Sequence, residues 1–502
     1  MVALEALPDA SARRRFAALQ ERLLPLFERQ FSDRNAPRTV VVLPSLTLDE
    51  DTLSKIHGVP HYEERMLCLL LLLRLPRTRV VYLSSLPISE SIVDYYLHLL
   101  PGIPSVHAKR RLTLISCHDA SHHPLAGKLL ERPRLLDRVR SAIGDPSKCH
   151  MSCFTVTDLE RRLALELQVP IYGCDPDLSD WGSKSGSRKL FREAGLDLPA
   201  GSEDLRDEQD VVSALVELAR ERPDLRKAVV KHNDGFSGAG NALFTFPTER
   251  SGAAIGEALR TSLRYDDPDE RHDTYFAKFE EMQGIVEEFV AGSGKESPSA
   301  QMRIDPSGHV EVVSTHDQVL SGPNGQEFSG CTFPAAPDYR LEIQEQGRRV
   351  GEALAAKGVI GRFAVDFLSI PESDGWRHVA IEVNLRKGGT THPFLVLQFL
   401  TDGHYDDETG LFLTPSGEPR YYYASDNVRS DGLQGLTPLD LIDVAVERDL
   451  LFHGSRQTGL FLHLIGAASE FGKLGMVCIA ESAEKAAATY QRSLDSLAGP
   501  VD

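Results

Sequence analysis

The stretch AIEVNLRKGGTTHPF, residues Ala380 to Phe394, decides how the rest of the chain is read. It opens as a strand, with apolar and polar residues alternating. It then places Glu382, Asn384, Arg386 and Lys387 ahead of two glycines. Strand residues two apart share a face, so Glu382 and Asn384 present oxygens to one point. Asp366, in the preceding strand-like segment GRFAVDFLSI (361–370), falls opposite them if the two strands pair as a hairpin. Two carboxylates and an amide without His or Cys suit Mg²⁺ rather than zinc. A solvated strand edge is the alternative. Arg386 and Lys387 follow as cations for an anionic group undergoing transfer, since a guanidinium fork clamps phosphate or carboxylate. A surface pair balancing nearby acids is their alternative reading.

Upstream, VVKHNDGFSGAGNALF (229–244) joins two strands through a glycine-rich turn. Gly235, Gly238 and Gly240 free the backbone to turn N–H groups towards an anion, with Ser237 in the same loop, and Lys231 precedes them on a strand. No G-x-x-x-x-G-K-[ST] occurs, and a strand rather than a helix follows, so this is neither a P-loop nor a dinucleotide fingerprint. Lys184 sits where a helix begins in SKSGSRKLF, within reach of a phosphate or simply exposed. Glu287 and Glu288 in GIVEEFV (284–290) face opposite ways in a strand. One of them is a candidate acceptor for an adenine amino group or a ribose hydroxyl.

The chain has 502 residues, enough for two to four domains. Asp plus Glu is 73 against 55 Lys plus Arg, a formal net charge of −18. That field repels nucleic acid and anionic membranes, so neither is expected as a partner. Seven cysteines scattered from 68 to 478 form no disulfide framework and point to a reducing cytoplasm. The first thirty residues lack a secretory h-region. The apolar run MLCLLLLLRLP from Met66 is broken by Arg74 and Pro76 and reads as a buried helix, well short of the roughly 20 residues of a membrane span.

Periodicity divides the chain in three. Residues 1–174 alternate strands (38–45, 79–85, 111–117, and one following a helix end within 163–173) with helices (11–31, 63–75, 90–100), an α/β domain with a largely parallel sheet. Residues 175–404 are α+β with many antiparallel signals, including a flap at about 225–290. Residues 405–502 form a small α+β region, in which Thr437, Pro438 and Asp440 mark a helix start. SCHDASHH (116–123) and CHMSC (149–153) match no common zinc spacing and read as structural or surface segments. His316 and Asp317 are candidates for substrate contact or for turn stabilisation.

The order of these elements is a helix-start lysine, a strand lysine with a glycine flap, E-E-F, D-F and E-x-N. It resembles the ATP-grasp superfamily of carboxylate–amine ligases over roughly 175–400, with a pre-ATP-grasp-like domain before it. EVNLR…HP is similar to the pattern of the biotin carboxylase branch. The longer phrases SKSGSRKLF, STHDQVLSGPNGQ, GRFAVDF and NLRKGGTTHP resemble the pheganomycin-type peptide ligase family, a likeness that extends into the C-terminal region. The resemblance implies that Lys184 and Lys231 bind ATP phosphates under the Gly235–Gly240 flap, and that Glu287, Glu288, Phe289 and Val290 form the adenine hinge. Glu296 would be the ribose contact. Asp366, Glu382 and Asn384 would hold two Mg²⁺ ions, with Mn²⁺ as an alternative. Arg386 would stabilise the transferring phosphoryl group, with Lys387 beside it. The implied reaction activates an amino-acid or peptide carboxylate as an acyl phosphate, which an amine captures as an amide. An ATP-grasp kinase and a non-catalytic nucleotide-binding protein are the alternatives. Self-association is left open.

Overall fold

Four strands, Arg38–Leu43, Thr78–Ser84, Leu112–Ser116 and Cys149–Cys153, form a parallel sheet in the order third, second, first, fourth. The computed structural model describes residues 10–48, 50–235, 240–267, 269–321 and 327–497. Val40 and Val42 feed the core on one face of this sheet, and Val41 and Leu43 the core on the other. Burial on both sides is why these strands read as continuous apolar runs. CHMSC, read as a structural or surface segment, is the fourth strand. The strand expected at the end of 163–173 is reduced to one bridge, Met151 to Ile171. Pro170 lacks the N–H that a ladder needs there. The helix expected over 11–31 is two, Ala10–Gln20 and Leu23–Ser32. Their junction is tied down by Gln20, which bonds the backbone of Ile171 in both directions, and by Arg22, which donates to the carbonyls of Gln168 and Pro146. The leucine run is buried, as its composition demands, inside a 3₁₀ helix over Val59–Arg74.

A five-stranded antiparallel sheet follows, in the order Gly201–Leu205, Gly284–Glu288, Lys227–His232, Asn241–Thr245 and Arg264–Tyr265. Helices Glu208–Glu221, Gly252–Ser262 and His272–Met282 pack their apolar residues against it.

The third sheet has ten strands. Gly375–Asn384 lies at one edge, followed by Gly361–Glu372, Pro298–Ile304, Val310–Ser321, Glu327–Phe333 and Pro419–Arg429, with Lys473–Ala480 and Gly459–His463 beyond. Helix Arg340–Ala356 buries Ile343, Val350 and Leu354 against Ala300, Met302 and Ile304. The sheet crosses the expected boundary at 404/405, because Cys331, Thr332 and Phe333 pair directly with Ala424, Tyr423 and Tyr422. Thr437 caps helix Pro438–Glu447 in a capping box with Asp440, as its sequence anticipates.

Candidate active site

Helix Lys184–Glu193 starts between the second and third sheets, with Ser183 as its N-cap. Ser183 accepts a hydrogen bond from the Gly186 N–H at 3.0 Å. The turn after strand Lys227–His232 closes the same end, since Asn233 accepts from the backbone N–H of Lys184 and of Ser185. Lys184 is thereby held with its ammonium 3.5 Å from Glu382.

Asp366 and Glu382 are direct cross-strand partners, and Asn384 faces Ala364 two pairs further on, on the same side of the sheet. The hairpin pairing inferred from spacing is therefore present. Asn384 donates to one oxygen of Asp366 at 2.9 Å and Gln318 to the other at 3.0 Å. Burial lifts the Asp366 carboxyl to about 6, with Ser299 and Asn384 hydrogen bonds opposing and the Glu382 charge reinforcing. For Glu382 burial acts upwards too, but Lys184, Arg386 and Lys231 together hold it below its ordinary value. Among the described residues no three His, Cys, Asp or Glu side chains form a metal cage. Two acids and an amide are an incomplete oxygen set, of the kind Mg²⁺ accepts when a substrate's phosphate oxygens complete it.

Lys231 forms an ion pair with Glu287, its diagonal neighbour across the five-stranded sheet. Arg188 reaches the other Glu287 oxygen at 3.4 Å and also binds Glu203 at 3.0 Å. Glu288 faces the opposite way, accepting from the Ala200 N–H at 3.1 Å. Phe289 lies under the ammonium of Lys295, and Val290 offers its carbonyl to the same lysine. Glu296 is exposed, and its backbone bridges to Ser369. Gly240 adopts φ +85°, and a Cβ there would meet the His232 ring at 2.8 Å. Gly235 is described and exposed, whereas Ser237 and Gly238 lie outside the described residues.

The two cations expected to act together part company. Arg386 senses the charges of Glu382 and Asp366. Lys387 turns to the parallel sheet, where its ammonium donates to the Cys153 carbonyl. The strand ends at Asn384, and in the turn before helix Thr391–Thr401 the two side chains go to different neighbours. His316 is fully buried and bonds the Tyr422 hydroxyl, while Asp317 accepts from Tyr339 and the Ala336 N–H. Both are tied into the fold.

Sequence reasoning passed over Gln318, Ser299, Arg188 and Arg65. Arg188 is one helical turn after Lys184, a spacing that puts both on one face. Gln318 is the strand neighbour two after His316, and that parity was a usable signal. Arg65 comes from the 3₁₀ helix, pairs with the buried Asp426 at 3.2 Å and lies close enough to Arg386 to repel it. Nothing local in the sequence announces that meeting of residues 65, 386 and 426.

A family model described as "IQCH-like, ATP-grasp" matches residues 177–250 and 268–408, and one described as "PGM1 C-terminal domain" matches 440–493. An L-propargylglycine–L-glutamate ligase of Streptantibioticus cattleyicolor is 31% identical over 475 residues, covering 91% of this chain and 94% of the relative. Among solved structures, the biotin carboxylase of Campylobacter jejuni aligns with TM-score 0.55 at 12% identity, over 92% of this chain and 91% of that one. The biotin carboxylase domain of the Hydrogenobacter thermophilus 2-oxoglutarate carboxylase, solved with MgADP, aligns with TM-score 0.54 at 12% identity, over 91% and 90%.

Proposed function

The chain belongs to the ATP-grasp family of ATP-dependent ligases, and we propose that it joins an amino-acid or peptide carboxylate to an amine, through an acyl phosphate, releasing ADP and phosphate. The observation that carries this reading is the convergence of Asp366, Glu382 and Asn384 with Lys184, Lys231 and Arg386, drawn from three separate segments, at one junction of two sheets. The name of the 31%-identical relative, a ligase of two amino acids, supports amino-acid substrates here.

Lys184 and Lys231 are assigned to the phosphates of ATP. Both ammonium groups now rest against carboxylates, Glu382 and Glu287, which an incoming phosphate would displace. Residues 287–290 are assigned to the nucleotide base and Glu296 to its ribose. Asp366, Glu382 and Asn384 would hold magnesium, or manganese through the same oxygens. The metal, when bound, neutralises the triphosphate and the phosphoryl group in transfer. Arg386 is assigned to the charge that develops on that group and on the activated carboxylate. The chain's own contribution is positioning and charge compensation, with no side-chain nucleophile.

Small molecules are the partners proposed. Among the described residues no helix is long and apolar enough to cross a membrane. The seven cysteines are free and buried, which supports a reducing cytoplasm. The test is ADP release from ATP and Mg²⁺ over mixtures of amino acids and short peptides, with product masses recorded. An amide lighter by one water than its summed substrates is expected. A phosphorylated product would replace the ligase by a kinase.

A further inference from the structure

A cavity of about 700 Å³ lies beside the large sheet, lined among others by Arg303, His309, Arg348, Arg362, Phe394 and His404. It opens where two strands part. Strand Val310–Ser321 pairs with Glu327–Phe333 only from Asp317 onwards, which leaves its first half facing the strand His404–Asp406 across a gap.

The cavity's arginines are not equivalent. Arg303 is paired with Glu311, and Arg348 with Glu345 and Glu352. Among the described residues the Arg362 guanidinium makes no hydrogen bond and no ion pair, although Tyr172 and Glu311 attract it at longer range. Its cross-strand neighbour is another arginine, Arg303. Burial and the charge of Arg303 depress its guanidinium to about 10. Lys387 adds a second cation nearby. Burial lowers it to about 8, Arg362 contributes repulsion, and its ammonium donates to a carbonyl rather than to an acid. In a chain of net charge −18, two neighbouring half-buried cations without a bonded carboxylate are poised for an anion that arrives from outside.

Arg362 is connected to the proposed reaction centre by a polar face. Cross-strand partners point to the same side, so successive rows of the sheet can be read off the register. The first row is His316, Ser299, Asp366 and Glu382. The second is Ser314, Gln301, Ala364 and Asn384. The third is Glu311, Arg303 and Arg362. Ser299, Gln301 and Ser314 are buried polar residues, and Ser314 Oγ and Arg303 Nε have no hydrogen-bond partner. Buried polar groups are ordinarily satisfied, so orphans along such a row mark a surface meant to meet a polar ligand. Asp366 lies four residue steps along the strand from Arg362, about 13 Å at ~3.3 Å per residue. That span fits an extended peptide of two to four residues.

We propose that Arg362, backed by Lys387, is a second anion anchor, which holds a carboxylate of a peptide substrate remote from the carboxylate that reacts. The proposal rests on the ligase reading above and narrows its substrate to acidic peptides. The experiment titrates the wild-type protein and R362Q with triglutamate and with triglutamine by calorimetry, in Mg²⁺ and a non-hydrolysable ATP analogue. Triglutamate should bind the wild type at least tenfold more tightly than triglutamine, and R362Q should abolish that preference while binding triglutamine unchanged. R362K, which keeps the charge, should recover part of it, and equal melting temperatures establish that the variants fold. Equal binding of triglutamate by wild type and R362Q overturns the anchor, as does a wild type that does not distinguish the two peptides. ADP release is measured separately. Its absence with every carboxylate, alongside a preserved binding preference, would sink the ligase reading and leave the anchor standing.

Discussion

In the five-stranded sheet the buried Lys231 meets Glu287, and Glu287 meets Arg188 as well, so the charges there are closed among themselves. In the ten-stranded sheet Asp366 and Glu382 face each other across a hairpin, and burial drives one of them up to about 6. The first region is a cation site occupied by its own acid. The second is a pair of facing acids in which Glu382 has Lys184 and Arg386 beside it while Asp366 stays raised. On the proposed reading, a nucleotide with its metal would supply what each lacks: anionic oxygens for the lysines, positive charge for the carboxylates. The difference teaches that the two sheets are halves of one electrostatic arrangement, completed from outside the chain.

The hardest blow to that arrangement is removal of an acid from the large sheet. D366N or E382Q should lower turnover about 10³-fold, ~4 kcal/mol of lost stabilisation at the reacting centre. The melting temperature of metal-free D366N should hold or rise, since two facing acids become one, whereas that of E382Q should fall, since Lys184 and Arg386 lose their counter-charge. Wild-type ADP release from either variant in saturating Mg²⁺ would break the comparison. On the other side, K231A should raise the KM for ATP about 30-fold, ~2 kcal/mol for a charged hydrogen bond, with a smaller effect on kcat. Unchanged ATP dependence in steady-state kinetics would remove the small sheet from the site.

Glu63 serves as a control outside both sheets. It accepts from the Ser85 N–H at 2.6 Å and the Ser85 hydroxyl at 2.7 Å, yet burial raises it from 4.5 to about 7. The folded chain therefore holds this proton more tightly than the unfolded one. Stability from Glu63 is full below about pH 4.5 and is lost as pH rises through 7. E63Q removes the slope, so the wild-type advantage over E63Q should fall by about 3 kcal/mol across that window. Chemical denaturation of both proteins at pH 4.5, 6 and 8 measures it, and ATP and Mg²⁺ dependence should not change. The smallest effect belongs to the helix between the sheets. S183A deletes the N-cap ahead of Lys184 and should cost about 1 kcal/mol, read as a lower unfolding midpoint.

The parts legible in the sequence were those fixed by short-range periodicity. Glu382 and Asn384 two apart, and Asp366 one hairpin back, needed only strand parity. Lys184 at a helix start and Lys231 before a glycine turn needed only local signals. The separation of Arg386 from Lys387 was hidden, because it depends on where the chain goes once the strand has ended. Arg65 and Asp426 were hidden for a related reason: they reach the site through tertiary contacts between residues 361 positions apart. The continuity of the large sheet past residue 404 escaped too, since pairing of Glu327–Phe333 with Pro419–Arg429 leaves no pattern inside either strand.

That continuity has a consequence for synthesis. Strand Lys473–Ala480 seals Pro419–Arg429, and helix Ala483–Leu497 closes over both. A ribosome must therefore deliver nearly the whole chain before the central sheet is complete. Until then its open edges are exposed to other nascent chains. For anyone grafting or trimming this protein, the last hundred residues are part of the scaffold rather than a detachable module. A cut at residue 404 would leave the strand Glu327–Phe333 with only one of its two neighbours.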